Sequence, residues 1–287
     1  MRRTLGINTW VWESPLTNDS LPGLLERISR MGYRAVELPV EHPGDWDPTA
    51  ARRLLDETGL VPYVVGAMAP GRNLVAAESA EVRATQDYLR HCVEVAHTIG
   101  APALAGPFYA ATGRTWRMGM GERAARYVEL SENLAPVIED AKSAGVTIGI
   151  EPLNRYETSL INTVEQALTA LEPLLGEVLG IAADTYHLNI EEKDPAAAVI
   201  AAGSSLVHVQ VCGTDRGAVG DDHFDWKAFL DALDQIGYDG PLNVESFTAA
   251  NETIATAASI WRPLAESQDE LASRSYEYLT RLQEGRA

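Results

Sequence analysis

Short apolar runs alternate with longer amphipathic stretches from one end of the chain to the other. The runs at 5–10, 35–40, 61–68, 103–108, 146–153, 179–183, 206–212 and 242–247 have the length of buried strands. Between them, helical spacing recurs at 21–31, 48–58, 80–99, 122–144, 163–175, 195–202 and 226–236. The punctuation agrees with this reading. Ser20, Asp47 and Asn162 stand at N-cap places, Pro22 and Pro48 fall in first turns, and Gly59, Gly100, Gly145, Gly176, Gly203 and Gly237 follow helix ends. The remainder, 253–282, reads as helix divided by Pro263. Strands joined by helices run parallel, and eight such units close naturally into a (β/α)8 TIM barrel of the α/β class. With no long linker or composition shift, a single domain is expected over 1–287. An open doubly wound sheet would want a glycine-rich phosphate loop after an early strand. Gly119-Met120-Gly121 follows no strand and lacks the third glycine.

Composition narrows the classes. The 287 residues suit a barrel of roughly 250. Twenty-three Lys and Arg against 41 Asp and Glu give a net charge of −18, a surface that repels phosphate backbones and anionic membranes, so neither nucleic acid nor membrane is an expected partner. No run approaches the ~20 apolar residues of a membrane span, and the first ten residues lack a signal-peptide core. Cys92 and Cys212 are too few for a disulfide framework or a thiolate zinc site, and a cytoplasmic setting is expected.

In a barrel of this kind the chemistry sits at the C-terminal ends of the strands. Strand five runs out into Glu151-Pro152-Leu153-Asn154-Arg155-Tyr156-Glu157-Thr158, and strand six into Asp184-Thr185-Tyr186-His187-Leu188-Asn189. Strand seven ends on His208-Val209-Gln210-Val211-Cys212, and strand eight on Asn243-Val244-Glu245-Ser246-Phe247. Four successive strands thus offer Glu151, Asp184, Gln210 and Glu245 at the rim. Three converging carboxylates repel one another unless a cation joins them. Three carboxylates and an amide oxygen form a hard donor set, suited to Mn²⁺, Mg²⁺ or Co²⁺ rather than zinc.

The segments Glu151–Thr158 and Asp184–Glu192 resemble the ketose 3-epimerases of the xylose-isomerase-like barrel superfamily. The likeness is specific from Gly149 to Phe247 and looser before it. It implies a divalent metal, usually Mn²⁺ or Co²⁺, between two glutamates acting as acid and base. Glu151 and Glu245 match those positions and also serve as ligands, with Asp184 as third ligand. Glu157, His187 and Arg216 match the positions that grip the substrate. The departure is Gln210, where that family carries a histidine ligand in a His-x-His pattern. Here the pattern is His208-Val209-Gln210, and His208 is expected to point inward one layer deeper than Gln210.

A carbon acid next to a ketone needs its developing enolate neutralised and a carboxylate to take the proton. With glutamates on both faces the outcome is epimerisation. With a leaving group in the β position the same enolate expels it, so a lyase is the alternative. Such relatives in this superfamily cleave 3-oxo-glycosides, including C-glycosides, with a small partner subunit, or dehydrate keto-polyols, and some carry glutamine at the position of Gln210. A metal-free sugar-binding barrel is disfavoured by the three carboxylates. Few positive charges surround Arg216, which points to an unphosphorylated sugar or glycoside. The loop from Phe108 to Trp116 reads as a flap that brings Trp116 or Arg114 onto the substrate. The family likeness also implies a homo-oligomer.

Overall fold

The computed structural model describes residues 2–286. Among them eight strands occur: β1 (Leu5–Asn8), β2 (Ala35–Val40), β3 (Val61–Gly66), β4 (Ala103–Gly106), β5 (Thr147–Ile150), β6 (Leu179–Asp184), β7 (Leu206–Val211) and β8 (Leu242–Val244). Every neighbouring pair is parallel, and β8 pairs back with β1 to close the barrel. The helices α1 (Leu21–Arg30), α2 (Pro48–Thr58), α3 (Ser79–Ile99), α4 (Met120–Ala144) and α5 (Val164–Leu171) follow the first five strands. After β6 come α6 (Thr185–Glu191) and α7 (Pro195–Ala202), after β7 comes α8 (Trp226–Gln235), and α9 (Glu252–Ala257) and α10 (Gln268–Glu284) finish the chain.

The apolar runs become strands because both their faces are covered, one by the barrel interior and one by the helices. All six residues of β2 and of β6 are buried. Helix α1 shows the complementary pattern, with Leu21, Leu24, Leu25 and Ile28 forming one buried stripe. Asp47 caps α2 as expected: its Oδ1 accepts from the backbone N–H of Thr49 at 2.8 Å and Ala50 at 3.3 Å. No helix among the described residues is long and apolar enough to cross a membrane.

Several boundaries differ from the sequence expectation. Six of the eight strands are shorter than the apolar runs, β2 and β6 being the exceptions. In β1 the reason is Asn8, whose side chain accepts the N–H of Trp10 at 2.8 Å and turns the chain into a 3₁₀ turn over Thr9–Val11. Ser20 precedes α1 but bonds back to Thr17 and makes no cap bond. The cap of α5 is Thr163, which accepts from Gln166 N at 3.2 Å. Asn162 instead donates its amide to Leu153 O at 2.8 Å and Thr158 O at 3.0 Å. Helix α5 stops at Leu171, because Pro173 has no N–H to continue it. Helix α6 was not expected: the run-out of strand six is helical from Thr185. Pro263 does separate two helices, α9 and α10.

One close approach holds the floor of the barrel mouth. Gly106 ends β4 with φ +153°. A Cβ there would meet Phe108 Cε1 at 2.7 Å and Gly66 O at 2.8 Å. Its carbonyl also accepts the N–H of Glu151 at 3.0 Å. Gly106→Ala is therefore expected to lower stability by about 1–3 kcal/mol through backbone strain. Urea unfolding measures it, and an unchanged midpoint would contradict the packing described.

Candidate active site

The four rim residues are delivered by the strand ends. Glu151 is the first residue past β5. Asp184 closes β6, and its Oδ1 accepts Tyr186 N at 2.9 Å, so it is also the N-cap of α6. Gln210 lies in β7 directly opposite Asp184 in the register. Glu245 is the first residue past β8, its N–H held by Val211 O at 3.0 Å. All four are buried, none more than 5 % exposed.

Arg216 stands among them. Its Nη1 donates to Asp184 Oδ2 and, at 2.8 Å, to Glu245 Oε2. The guanidinium lies over the Tyr186 ring at 4.1 Å and the Phe247 ring at 5.2 Å from their centroids. A tight turn makes this reach possible. Arg216 has φ +69°, its N–H bonds Gly213 O at 2.9 Å, and its carbonyl accepts Ser246 Oγ at 2.6 Å. A non-glycine residue in that conformation costs about 1–3 kcal/mol, which the two carboxylates and two rings offset.

His187 projects from α6 into the same centre. Its Nε2 is 3.4 Å from Glu151 Oε1 and 3.6 Å from Asp184 Oδ2. The ligand-capable atoms of Glu151, Asp184 and His187 all lie within 4.8 Å of one another. Its other nitrogen, Nδ1, accepts the backbone N–H of Asn154 at 3.0 Å and faces the Asn154 amide at 3.0 Å. An N–H can only donate, so in the neutral ring the proton sits on Nε2. Burial, opposed by Asp184 and assisted by Arg216, lowers the His187 pKa and keeps the ring neutral. His187 therefore presents a donor toward Glu151 and Asp184, with Arg216 Nη2 a second donor 3.3 Å from the same nitrogen.

Electrostatics at the rim follow from burial and crowding. Burial, then Glu245 and Asp184, push the Glu151 carboxyl well above its ordinary pKa. Burial likewise raises Glu245, with Arg216 opposing and Asp184 adding to the rise. Burial works against the charge of Arg216, but Asp184 and its other neighbours outweigh it and raise the pKa further. Cys212, whose Sγ is 3.7 Å from Arg216 Nη1, is raised well above the ordinary thiol value by burial, so it is no nucleophile.

The loops place the remaining candidates. Glu157 Oε1 accepts the Asn154 amide at 2.7 Å, which links it to His187 through one residue. The expected flap is fastened to this same loop: Gly113 N bonds Glu157 O at 2.7 Å, and Trp116 N bonds Ser159 Oγ at 2.9 Å. Trp116 is half-buried, with the Arg114 guanidinium 5.0 Å from its ring centroid. Arg114 itself is turned to the carbonyls of Val75 and Ala76. Trp10 and Phe247 pack at 5.6 Å in a small apolar cluster with Val65 and Ile254. His42 is exposed beside Asp45. Reading the strand ends missed Asn154 and Glu37. Glu37 had one signal, a lone carboxylate inside the apolar run Ala-Val-Glu-Leu-Pro-Val.

The donor chemistry fits a hard divalent cation. Among the described residues, the Gln210 Oε1 atom is buried without a hydrogen-bond partner, an open acceptor on a side chain that the register sets opposite Asp184. Crowded carboxylates also predict a pH response. A carboxyl raised on folding contributes stability that is fully present below its unfolded pKa of ~4.3 and lost as pH rises through the raised value. Chelator-treated protein is expected to lose melting temperature as pH climbs above ~4.3. A divalent cation should restore it, more so at higher pH, and Glu151→Gln/Glu245→Gln should flatten the slope. A slope unchanged in that double variant would show that these two groups do not carry it.

Comparison with known proteins agrees with the fold. The ketose 3-epimerase of Arthrobacter globiformis is 29% identical over 277 residues, 96% of this chain and 95% of that one. The L-ribulose 3-epimerase of Methylomonas sp. is 29% identical over 280 residues, 97% of each chain. The crystal structure of a D-allulose 3-epimerase from Methylomonas sp. in complex with D-allulose superposes with a TM-score of 0.90 at 27% identity, covering 98% of this chain and 97% of the other. The model of the xylose isomerase-like TIM barrel family matches residues 25–270. This chain belongs to the xylose isomerase-like TIM barrel family.

Proposed function

We propose that this protein is a divalent-metal-dependent ketose 3-epimerase acting on unphosphorylated sugars. The observation that carries the reading is the pair of buried, pKa-raised glutamates, Glu151 and Glu245, meeting at one centre from β5 and β8. Near-full-length relatives named as ketose and L-ribulose 3-epimerases support it. They also weigh against the β-elimination alternative. Asp215, Asp221 and Asp222 crowd the turn that carries Arg216, which disfavours a phosphorylated substrate.

In this reading Glu151, Asp184, Gln210 and Glu245 hold the metal, with Mn²⁺ the first choice and Mg²⁺ or Co²⁺ acceptable. When bound, the cation supplies Lewis-acid stabilisation of negative charge developing on a ketone oxygen. One glutamate takes the proton from the carbon beside the ketone, and the other returns a proton to the opposite face. Burial and the neighbouring carboxylates raise both groups above the ordinary carboxylate pKa, which favours the protonated form that the returning step needs. His187 donates from Nε2 to a substrate oxygen, kept in that tautomer by Asn154. Arg216 and Glu157 hold neighbouring hydroxyls. Trp116 covers the sugar from the flap, and Trp10 and Phe247 present apolar surface to its carbon face.

Incubation with Mn²⁺ and free ketoses in D₂O is expected to place one solvent deuterium at the inverted carbon, read by NMR. Glu151→Gln and Glu245→Gln should each lower kcat by at least ~10²-fold. Release of water or an aglycone with formation of an unsaturated keto sugar would overturn the epimerase assignment. Inversion without solvent exchange would overturn proton abstraction.

A further inference from the structure

A second polar group lies beneath the rim, inside the barrel. Glu37 projects from the middle of β2 and is wholly buried. A carboxylate in an apolar barrel is costly unless its oxygens are occupied. Here both are: Oε1 is 2.5 Å from His208 Nε2, and Oε2 accepts Asn8 Nδ2 at 2.8 Å and Gln210 Nε2 at 3.2 Å. The donors come from β1 and β7, so Glu37 ties three strands together at one level.

The consequence falls on Gln210. Its Nε2 has two hydrogens, and both are taken by carboxylates: Glu37 Oε2 from below and Glu245 Oε1 at 2.9 Å. Turning the amide over would set its oxygen against those two carboxylate oxygens. The amide is therefore held one way round, and its Oε1 is left buried and without a partner among the described residues. An amide presents either a donor or a ligand atom depending on which way it faces. We propose that Glu37 is a positioning residue that locks the Gln210 side chain with its oxygen free to act as a metal ligand. His208 and Asn8 hold the Glu37 carboxylate in place for that task. The inference rests on the metal-site reading above, and it adds the device by which an amide becomes a dependable oxygen donor.

A double-mutant cycle on the full chain tests it, with Mn²⁺ affinity by calorimetry and the Mn²⁺ EPR spectrum as readouts and melting temperature as the check on folding. Glu37→Gln is expected to weaken Mn²⁺ binding ~10–100-fold and to change the EPR line shape. In the Gln210→Ala background, which is itself weakened, the same substitution should change affinity by less than ~2-fold, as expected of residues acting through one contact. Glu37→Asp keeps the charge but withdraws it by one methylene; it should show the same coupling and stands in should Glu37→Gln fail to fold. Equal weakening by Glu37→Gln in both backgrounds, or none in either while Gln210→Ala does weaken binding, overturns the positioning role alone. Unchanged Mn²⁺ affinity in Gln210→Ala overturns both this inference and the ligand set on which it rests.

Discussion

Negative charge crowded into a water-poor barrel mouth is the constraint around which this molecule is arranged. Glu151, Asp184 and Glu245 are all buried; Glu245 and Asp184 make Glu151 more costly to ionise, and Asp184 does the same to Glu245. Arg216 answers that cost directly by bridging Asp184 and Glu245. The answer requires a strained turn, a bond from Ser246 to the Arg216 carbonyl, and two aromatic rings to receive the guanidinium. His187, kept neutral by burial, contributes a donor without adding to the charge.

How much of this the sequence reveals depends on whether a residue's task is local. The barrel is legible because burial on both faces makes each strand a continuous apolar run and each helix a stripe. Glu151, Asp184, Gln210 and Glu245 stand out because polar residues break those runs at their C-terminal ends. Capping by Asp47 is visible for the same reason, being settled within three residues. Asn162 and Thr163 both look like caps, and the choice falls to Thr163 because Asn162 is drawn into the β5–α5 loop by Leu153 and Thr158. Helix α6 is hidden because its first turn is packed with residues that belong to the site. Asn154 and Glu37 act across separations of 33 and 171 residues, toward His187 and His208, and no spacing rule reaches that far.

The interior of the barrel is correspondingly two-layered. Aliphatic side chains such as Ile7, Val36 and Leu38 fill the spaces around the strands. A polar column of Asn8, Glu37, His208 and Gln210 rises from the middle of the barrel to the rim. Such a column is stable only when its members satisfy one another, so the interior and the site share one set of hydrogen bonds.

Asp184 shows what that sharing demands of a single position. One carboxylate oxygen finishes β6 by opening α6, and the other faces Arg216 at the centre. Asparagine, serine or threonine could start the helix but would leave the guanidinium without its counter-charge. Glutamate would keep the charge but, one methylene longer, would lose the short reach back to Tyr186 N. The same four-atom group thus answers to folding and to chemistry at once. The room for variation there is the overlap of two alphabets, and that overlap holds one letter.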